Sequence, residues 1–439
     1  MKIHFIAIGG SAMHNLALAL YHRGYEISGS DDKIFNPSKS RLEKFGLLPE
    51  KIGWFPEKIH TDLDAIILGM HAKNDNVELL KAKELNIPLY SYPEYLFEQS
   101  KNKKRIVIGG SHGKTTITAM ILHVMKGLSI DCDYMVGAQL DGFDTMVKIS
   151  NAPIIVLEGD EYLSSPIDKR PKFHLYKPHI AVLSGIAWDH INVFPTFDIY
   201  INQFRMFKNM ISETLIYFEK DKHINKLINE KTLAKLIPYN TPENKVKNGK
   251  TYVENQELLI FGDHNLQNLN AARLVCQEIG ISKEKFFQHI KYFKGANKRL
   301  ELVKKTEHYT IYKDFAHSPS KLKATTYAMK KQYPNRRLIA CLELHTFSSL
   351  NENFLKQYAN SMCDADTAII YYNPKVIKDR NMKSISKDLI QASFNRKDLL
   401  VFTKSTKLNS FLKSITCTKK TLLMMSSGNF DGILIEELF

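Results

Sequence analysis

The chain has 439 residues, 44% of them hydrophobic and 24% charged, with a formal net charge of +15. That length is too great for one ordinary core and predicts two or three domains of a soluble globular protein. Lysines are dispersed, in short clusters such as 101–105 and 291–299, without a zinc-finger, RNA-recognition or homeodomain pattern, so no nucleic-acid partner is expected. No apolar run approaches membrane-spanning length, which excludes a membrane partner of that kind. Residues 1–8 enter a strand pattern directly rather than a signal peptide. The cysteines at 132, 276, 341, 363 and 417 lack metal-type spacing and read as reduced thiols of a cytoplasmic protein.

In chain order, apolar strand patterns at 4–8, 26–28, 65–68 and 88–91 alternate with helical spacing at 13–23, 38–45 and 77–85. That alternation predicts a small parallel α/β unit. The charged stretch 99–104 follows as a boundary. A second alternation has strands at 105–108, 154–157 and 180–183, a helix over 116–125, and last helices at 266–279 and 283–292. A third has strands at 310–313, 338–342, 368–371, 399–402 and 422–425, with helices such as 321–331 between them. The fold class is therefore three consecutive α/β domains, over 1–100, 101–297 and 298–439.

The first strand pattern ends in Gly9-Gly10-Ser11-Ala12-Met13. Counted from Gly9, the later glycine positions of a G-x-G-x-x-G fingerprint hold Ser11 and His14, which makes a poor nicotinamide site. Asp31, after the second strand, stands where an acidic residue holds a ribose. The loop suits a nucleotide-like phosphate, and reads equally as a tight strand-to-helix turn.

The most informative stretch is Gly109-Gly110-Ser111-His112-Gly113-Lys114-Thr115-Thr116. A glycine loop between a strand and a helix gathers backbone N–H groups, a helix N-terminus and the Lys114 ammonium around one point. This suits a polyphosphate, with the Thr115 hydroxyl placed to ligate Mg²⁺. The full Walker spacing is absent, because Ile108 stands where the earlier glycine belongs. Glu158-Gly159-Asp160-Glu161 ends another buried strand, and carboxylates there are costly unless they meet a cation. Asp189-His190 follows the 180–183 strand. Parallel strands bring these loops to one sheet edge, where ligands bind. Asn265 and Asn268 lie one turn apart on a helix and suit an adenine edge or simple capping. Arg299 could neutralise phosphate charge, and Asp314, near His317, could accept from a ribose.

In this order and over almost the whole chain, these segments resemble the Mur ligase family, which builds the peptide stem of bacterial cell-wall precursors. The resemblance implies a Rossmann-like UDP-sugar domain, a central P-loop ATPase domain and a Rossmann-like C-terminal acceptor domain. It implies UDP-N-acetylmuramate at Gly9, Gly10, Ser11, Met13, Ser30, Asp31 and His71. ATP would lie at Gly110, Ser111, His112, Gly113, Lys114, Thr115, Thr116, Asn265, Asn268, Arg299, Asp314 and His317. Thr115, Glu158 and His190 would hold Mg²⁺, and Lys114, Glu158, His190 and Arg299 would be catalytic.

The segments 160–162, 168–173 and 188–194 resemble the family's murein peptide ligase branch, whose acceptor is L-alanyl-γ-D-glutamyl-meso-diaminopimelate. Lys169, Arg170 and Lys172 would then contact the acceptor. The alanine-adding branch is the alternative, and a non-catalytic nucleotide-binding regulator a second one. Gly159, Ala12, Lys298, and the segments 342–346 and 426–430 depart from the family's usual residues. The implied chemistry is amide formation through an acyl phosphate with release of ADP, by a monomer or weak homodimer.

Overall fold

The computed structural model describes residues 1–188, 193–296, 299–416 and 418–438. They form two compact units, one of residues 1–240 with 267–290, the other of 241–266 with the chain from 291 onward.

In the first unit, β1 (Lys2–Ile6), β2 (Glu26–Ser30), β3 (Ala65–Leu68) and β4 (Leu89–Ser91) form a parallel sheet in the order β2-β1-β3-β4. β3 reads as an unbroken apolar run, Ala65-Ile66-Ile67-Leu68, because helices cover both faces of such a sheet. β1 ends two residues before the sequence pattern does. Ala7 turns into the left-handed region at φ 70, and the N–H groups of Ala7 and Ile8 both donate to the Ser30 carbonyl, at 2.9 and 3.1 Å. The helix Tyr92–Glu98, which the sequence reading passed over, starts at a capping box. Ser91 accepts from the Glu94 N–H while the Glu94 carboxylate accepts from the Ser91 N–H.

The same unit holds a seven-stranded sheet of β5 (Lys104–Gly109), β6 (Asp133–Met135), β7 (Val147–Lys148), β8 (Ile154–Glu158), β9 (Ile180–Leu183), β10 (Thr214–Phe218) and β11 (Lys235–Tyr239). Their order is β11-β10-β9-β5-β8-β6-β7, all neighbours parallel except β6 and β7. From β5 the chain first builds toward β8 and β6, then crosses to β9 and β10. The end of β5 is therefore a topological switch point, the place where an open α/β sheet leaves a crevice. Register sets the loops level, since Ile108 pairs with Glu158 and Gly109 with Leu183.

One apolar cluster runs through both sheets, with Tyr92, Tyr95 and Leu96 in the same core as Phe173 and Tyr176. The charged stretch between the sheets proves to be a set of pins. Arg105 donates through Nε to the carbonyls of Tyr176 and Lys177 and through Nη1 to those of Ser100, Lys101 and Lys103. Lys103 Nζ meets the fully buried Asp133 at 2.6 Å and the carbonyls of Ser150 and Ala152. The short cluster at 101–105 is thus architecture more than solvated surface.

In the second unit, β12 (Asn244–Lys247), β13 (Lys250–Val253) and β14 (Gln256–Leu258) make an antiparallel sheet that the sequence pattern did not reveal. The larger sheet joins β15 (Glu301–Lys305), β16 (Tyr309–Asp314), β17 (Arg337–Glu343), β18 (Thr367–Tyr371), β19 (Leu400–Phe402) and β20 (Lys420–Met425) in the order β15-β16-β20-β17-β18-β19. Only β15 is antiparallel to its neighbour. The three-domain α/β architecture is that of the sequence expectation. Among the described residues no helix is long and apolar enough to cross a membrane.

Removing one partner of a buried ion pair strands the other charge. Lys103→Met, which also removes the donor to two partly buried carbonyls, is expected to cost about 3 kcal/mol of stability. Chemical denaturation measures it, and an unchanged midpoint would show that Lys103 is no pin.

Candidate functional site

The glycine loop expected to hold phosphate occupies the switch point. β5 delivers Gly109, the loop turns through Gly110, and the helix Lys114–Gly127 starts from Gly113, whose left-handed φ of 79 brings no side-chain cap to the first turn. The helix N–H groups therefore face the crevice, as an anion site requires. Two glycines are fixed by geometry. Gly110 has φ 122, and a Cβ there would collide with Ser184 Oγ; a Cβ on Gly113 would collide with Asn268 Oδ1.

Lys114 lies across this loop. Its Nζ donates to the Gly110 carbonyl at 2.8 Å and meets Glu161 at 2.6 Å. Burial works against its positive charge. Glu161, Asp160 and Glu158 outweigh that and hold its pKa above the ordinary value. Thr115 Oγ1 donates to Glu158 at 2.8 Å, and the Gly137 N–H donates to the other Glu158 oxygen at 2.6 Å. Burial raises the Glu158 pKa, opposed by the Gly137 N–H, Lys114 and Thr115.

These donors fit Mg²⁺. Thr115 Oγ1 and Glu158 are hard oxygens held together beside a phosphate loop, and a buried carboxylate is the group that a divalent cation relieves. They are the residues that would hold the ion, which would supply charge neutralisation between adjacent phosphates.

The loops after β8 and β9 complete the edge. Glu161, 1% exposed, also accepts from Tyr200 Oη at 3.1 Å. Tyr200 in turn meets Ser111 Oγ at 2.8 Å, and Ser111 Oγ accepts the Ala187 N–H. Ser184 Oγ donates to the His112 carbonyl. Thr116 and Ser111 are buried. Gly159, a departure from the family's usual alanine, sits where a Cβ would approach Val107 Cγ1 to 2.8 Å. Tyr200, Ser184 and Gly137 were not singled out in the sequence. Tyr200 had a signal, since the helix Phe197–Asn209 buries Tyr200, Phe204 and Phe207 at helical spacing behind the Thr196 cap. Gly137 and Ser184 had none.

The first sheet presents a second glycine loop. Gly10 opens the helix Ser11–His22 without a side-chain cap, so that N-terminus too is available to an anion. Asp31, expected to hold a ribose, accepts the Gly9 N–H at 2.7 Å and the Lys33 N–H at 3.3 Å. Burial raises its pKa against those two bonds. Its first task is thus to brace the loop. Ser30 is buried with Oγ unpartnered, Met13 is buried, Ser11 is exposed, and His71 is exposed beyond the end of β3.

The remaining expected residues divide. Asn268 faces Gly113, whereas Asn265 spends an amide hydrogen on the Phe261 carbonyl at 3.0 Å. Both lie inside the helix Asp263–Glu278 rather than at its start, so neither is its cap. Within the second unit, Asp314 accepts the N–H groups of Leu300 and Ala316, each at 2.7 Å, and Arg299 lies 4.8 Å over the Phe315 ring. Asp314 therefore ties the chain entering β15 to the end of β16. Nearby, His264 is held below its ordinary pKa by burial, against Asp314 and Asp263. His317 Nδ1 meets the Phe315 carbonyl at 2.7 Å. Asp189, His190 and Lys298 lie outside the described residues.

The basic cluster expected to meet the acceptor is largely committed. Arg170 pairs with Asp168 at 2.6 Å and Glu94 at 3.0 Å, and Lys172 with Asp160 at 2.6 Å. Only Lys169 brings no ion pair among the described residues.

Gly110→Ala forces an L side chain into a strained φ against Ser184, a cost of about 1–3 kcal/mol. Loop displacement should weaken Mg²⁺–ADP binding by about ten-fold or more in calorimetric titration. Undiminished affinity would show that the loop is not the nucleotide site.

Comparison with known proteins places this geometry. Models of the "Mur ligase family, catalytic domain", the "Mur ligase middle domain" and the "Mur ligase, glutamate ligase domain" match residues 2–104, 108–276 and 298–428. The UDP-N-acetylmuramate–L-alanine ligase of Caldanaerobacter subterraneus subsp. tengcongensis is 33% identical over 452 aligned positions, covering 98% of this chain and 95% of that one. Among solved structures, the UDP-N-acetylmuramate–alanine ligase of Thermotoga maritima gives a TM-score of 0.73 at 19% identity over 98% of this chain and 96% of its own. The murein peptide ligase of Psychrobacter arcticus gives 0.65 at 21% over 100% and 99%. At those identities the two structures speak to the fold alone. The sequence relative carries the alanine-adding name, in contrast to the peptide branch suggested by residues 160–194. The chain belongs to the Mur ligase family, whose members are ATP-dependent, ADP-forming amide ligases.

Proposed function

We propose that this protein joins the carboxylate of UDP-N-acetylmuramate to the amine of L-alanine, using ATP and forming ADP and phosphate. The observation that carries the ligase reading is the convergence of Lys114, Thr115 and Glu158 on one uncapped helix N-terminus at the switch point. The full-length sequence relative supports the alanine acceptor. So does the internal pairing of Arg170 and Lys172, which leaves little unspent positive charge for a carboxylate-rich peptide.

In this reading the loop N–H groups and Lys114 bind the β- and γ-phosphates, Lys114 exchanging Glu161 for phosphate oxygens. The sugar's carboxylate oxygen attacks the γ-phosphorus, the bond to the β-phosphate oxygen breaks, and ADP leaves. The acceptor amine then attacks the acyl carbon, loses a proton, and phosphate departs with its oxygen. The protein's contribution to the first step is placement and charge neutralisation. Glu158 and Thr115 would hold one Mg²⁺ and His190 a second ion near the carboxylate, each supplying charge neutralisation. Gly9, Gly10, Ser11, Met13, Ser30, Asp31 and His71 bind the UDP-sugar. Asn265, Asn268, Arg299, Asp314 and His317 are the further residues proposed for the nucleotide. The proposed domains are 1–100, 101–297 and 298–439.

A tripeptide acceptor is the second reading, favoured by residues 160–173 and by an open groove of about 670 Å³ to which Lys83, Lys169 and Arg170 contribute. Phosphate release measured with UDP-N-acetylmuramate and either L-alanine or the tripeptide separates the two. Turnover with L-alanine is expected, and turnover with the tripeptide alone overturns that acceptor assignment. No turnover with either would favour a non-catalytic regulator.

Lys114→Ala should abolish ADP formation while UDP-N-acetylmuramate still binds with nearly unchanged affinity. Retained turnover in that variant would refute the phosphate-loop assignment.

A further inference from the structure

Arg41, on the helix Ser38–Lys44 of the first sheet's module, was not singled out by any motif. It reaches the loop that follows β6. Its Nη1 donates to Asn15 Oδ1 at 3.1 Å and to Gln139 Oε1 at 3.3 Å, and its Nη2 to the Asp144 carbonyl at 2.5 Å. Asn15 works on the same loop, accepting the Met146 N–H at 2.9 Å while its amide donates to the Ser11 carbonyl at 2.8 Å. The loop between Gly137 and Met146 is therefore held at three points, Gln139 and Asp144 by Arg41 and Met146 by Asn15. Its near end is the Gly137 N–H, which donates to Glu158 at 2.6 Å. A Cβ on Gly137 would press to within 2.9 Å of that carboxylate, so there is no slack in the contact.

A path of short contacts, carried from Gln139 to Gly137 along the backbone, thus joins two glycine loops that sit on different sheets. It runs Ser11, Asn15, Arg41, Gln139 and Gly137 to Glu158 and Thr115. The charge at its centre is unusual. Among the described residues Arg41 has no carboxylate partner, and its guanidinium is held by neutral amide and carbonyl oxygens alone. Partial burial lowers its pKa. An anion arriving at the uncapped N-terminus of Ser11–His22 would relieve that uncompensated charge and draw the Asn15–Arg41 pair with it.

We propose that Arg41 is a positioning residue that couples occupancy of the Gly9–Ser11 loop to the placement of Glu158. The proposal rests on the assignment of the UDP-sugar to the first loop and of ATP to the second. Arg41 touches neither reacting group; it sets the loop whose N–H orients the carboxylate. A tether of this kind is a coupling free energy between two sites, and it must appear in both directions.

The experiment measures Mg²⁺–AMPPCP affinity by calorimetry, with and without saturating UDP-N-acetylmuramate, in the unaltered protein, Arg41→Met and Gln139→Leu. Thermal melting confirms that each variant is folded. The unaltered protein is expected to bind the nucleotide analogue about ten-fold more tightly when the UDP-sugar is present. Arg41→Met should bring that ratio close to one while each ligand alone still binds, and Gln139→Leu should give an intermediate ratio. A pure scaffold role would weaken both ligands alone and leave the ratio unchanged. An unchanged ratio in both variants, or a ratio of one in the unaltered protein, overturns the proposal. If Arg41→Met does not fold, Gln139→Leu decides by the same ratio. Failure of the underlying site assignment is distinct, because UDP-N-acetylmuramate would then not bind the unaltered protein at all.

Discussion

Lys114 is a largely covered cation at the start of the helix after β5, facing Glu158, Asp160 and Glu161 from the end of β8. Neither group is tolerable alone. An unpaired buried charge costs several kcal/mol, so the lysine and the carboxylates stabilise the site only as a set. The excess of carboxylate over ammonium is the chemical content of the arrangement. It leaves Glu158 and Thr115 with spare oxygen donors beside a helix N-terminus that has no side-chain cap. A triphosphate and a divalent cation are together what such a set is short of.

That electrostatic knot dictates much of the surrounding fold. β5 and β8 must be parallel neighbours in a fixed register, or the lysine and the acidic cluster would not meet. Gly110 and Gly113 must be glycines, because Ser184 and Asn268 occupy the space where a side chain would go. Tyr200 must reach from its helix to bridge Ser111 and Glu161. The pins at Lys103 and Arg105 hold the strand's entrance where the chain passes from the first sheet to the second.

Much of this was legible in advance, and the reasons differ from residue to residue. The strands at 65–68 and 180–183 match their patterns because a buried parallel strand has nothing but apolar side chains to show. The glycine loop at 109–113 was legible because its structure is local, with strand, turn and helix adjacent in the chain. The helices Tyr92–Glu98 and Phe197–Asn209 left a capping box and an apolar stripe that were there to be read. The pairing of Arg170 with Asp168 and Glu94 was not, since one partner lies far away in sequence. An expected acceptor contact is in this state largely an internal ion pair. Asp31 and Asp314 show the same limit. Their positions at strand ends could be seen, but not that backbone N–H groups already occupy their oxygens.

The sequence by itself determined the three α/β domains, the strand–glycine loop–helix with its lysine and threonine, and the resemblance that names the chemistry. Each depends on short-range pattern, where apolar periodicity and glycine placement act within a few residues. Only the tertiary structure decided which acidic residue meets Lys114, that Tyr200 and Ser184 buttress the loop, and that Arg41 reaches the loop beside Glu158. Those contacts join residues tens of positions apart. They are fixed by strand order and side-chain reach, which no local spacing encodes.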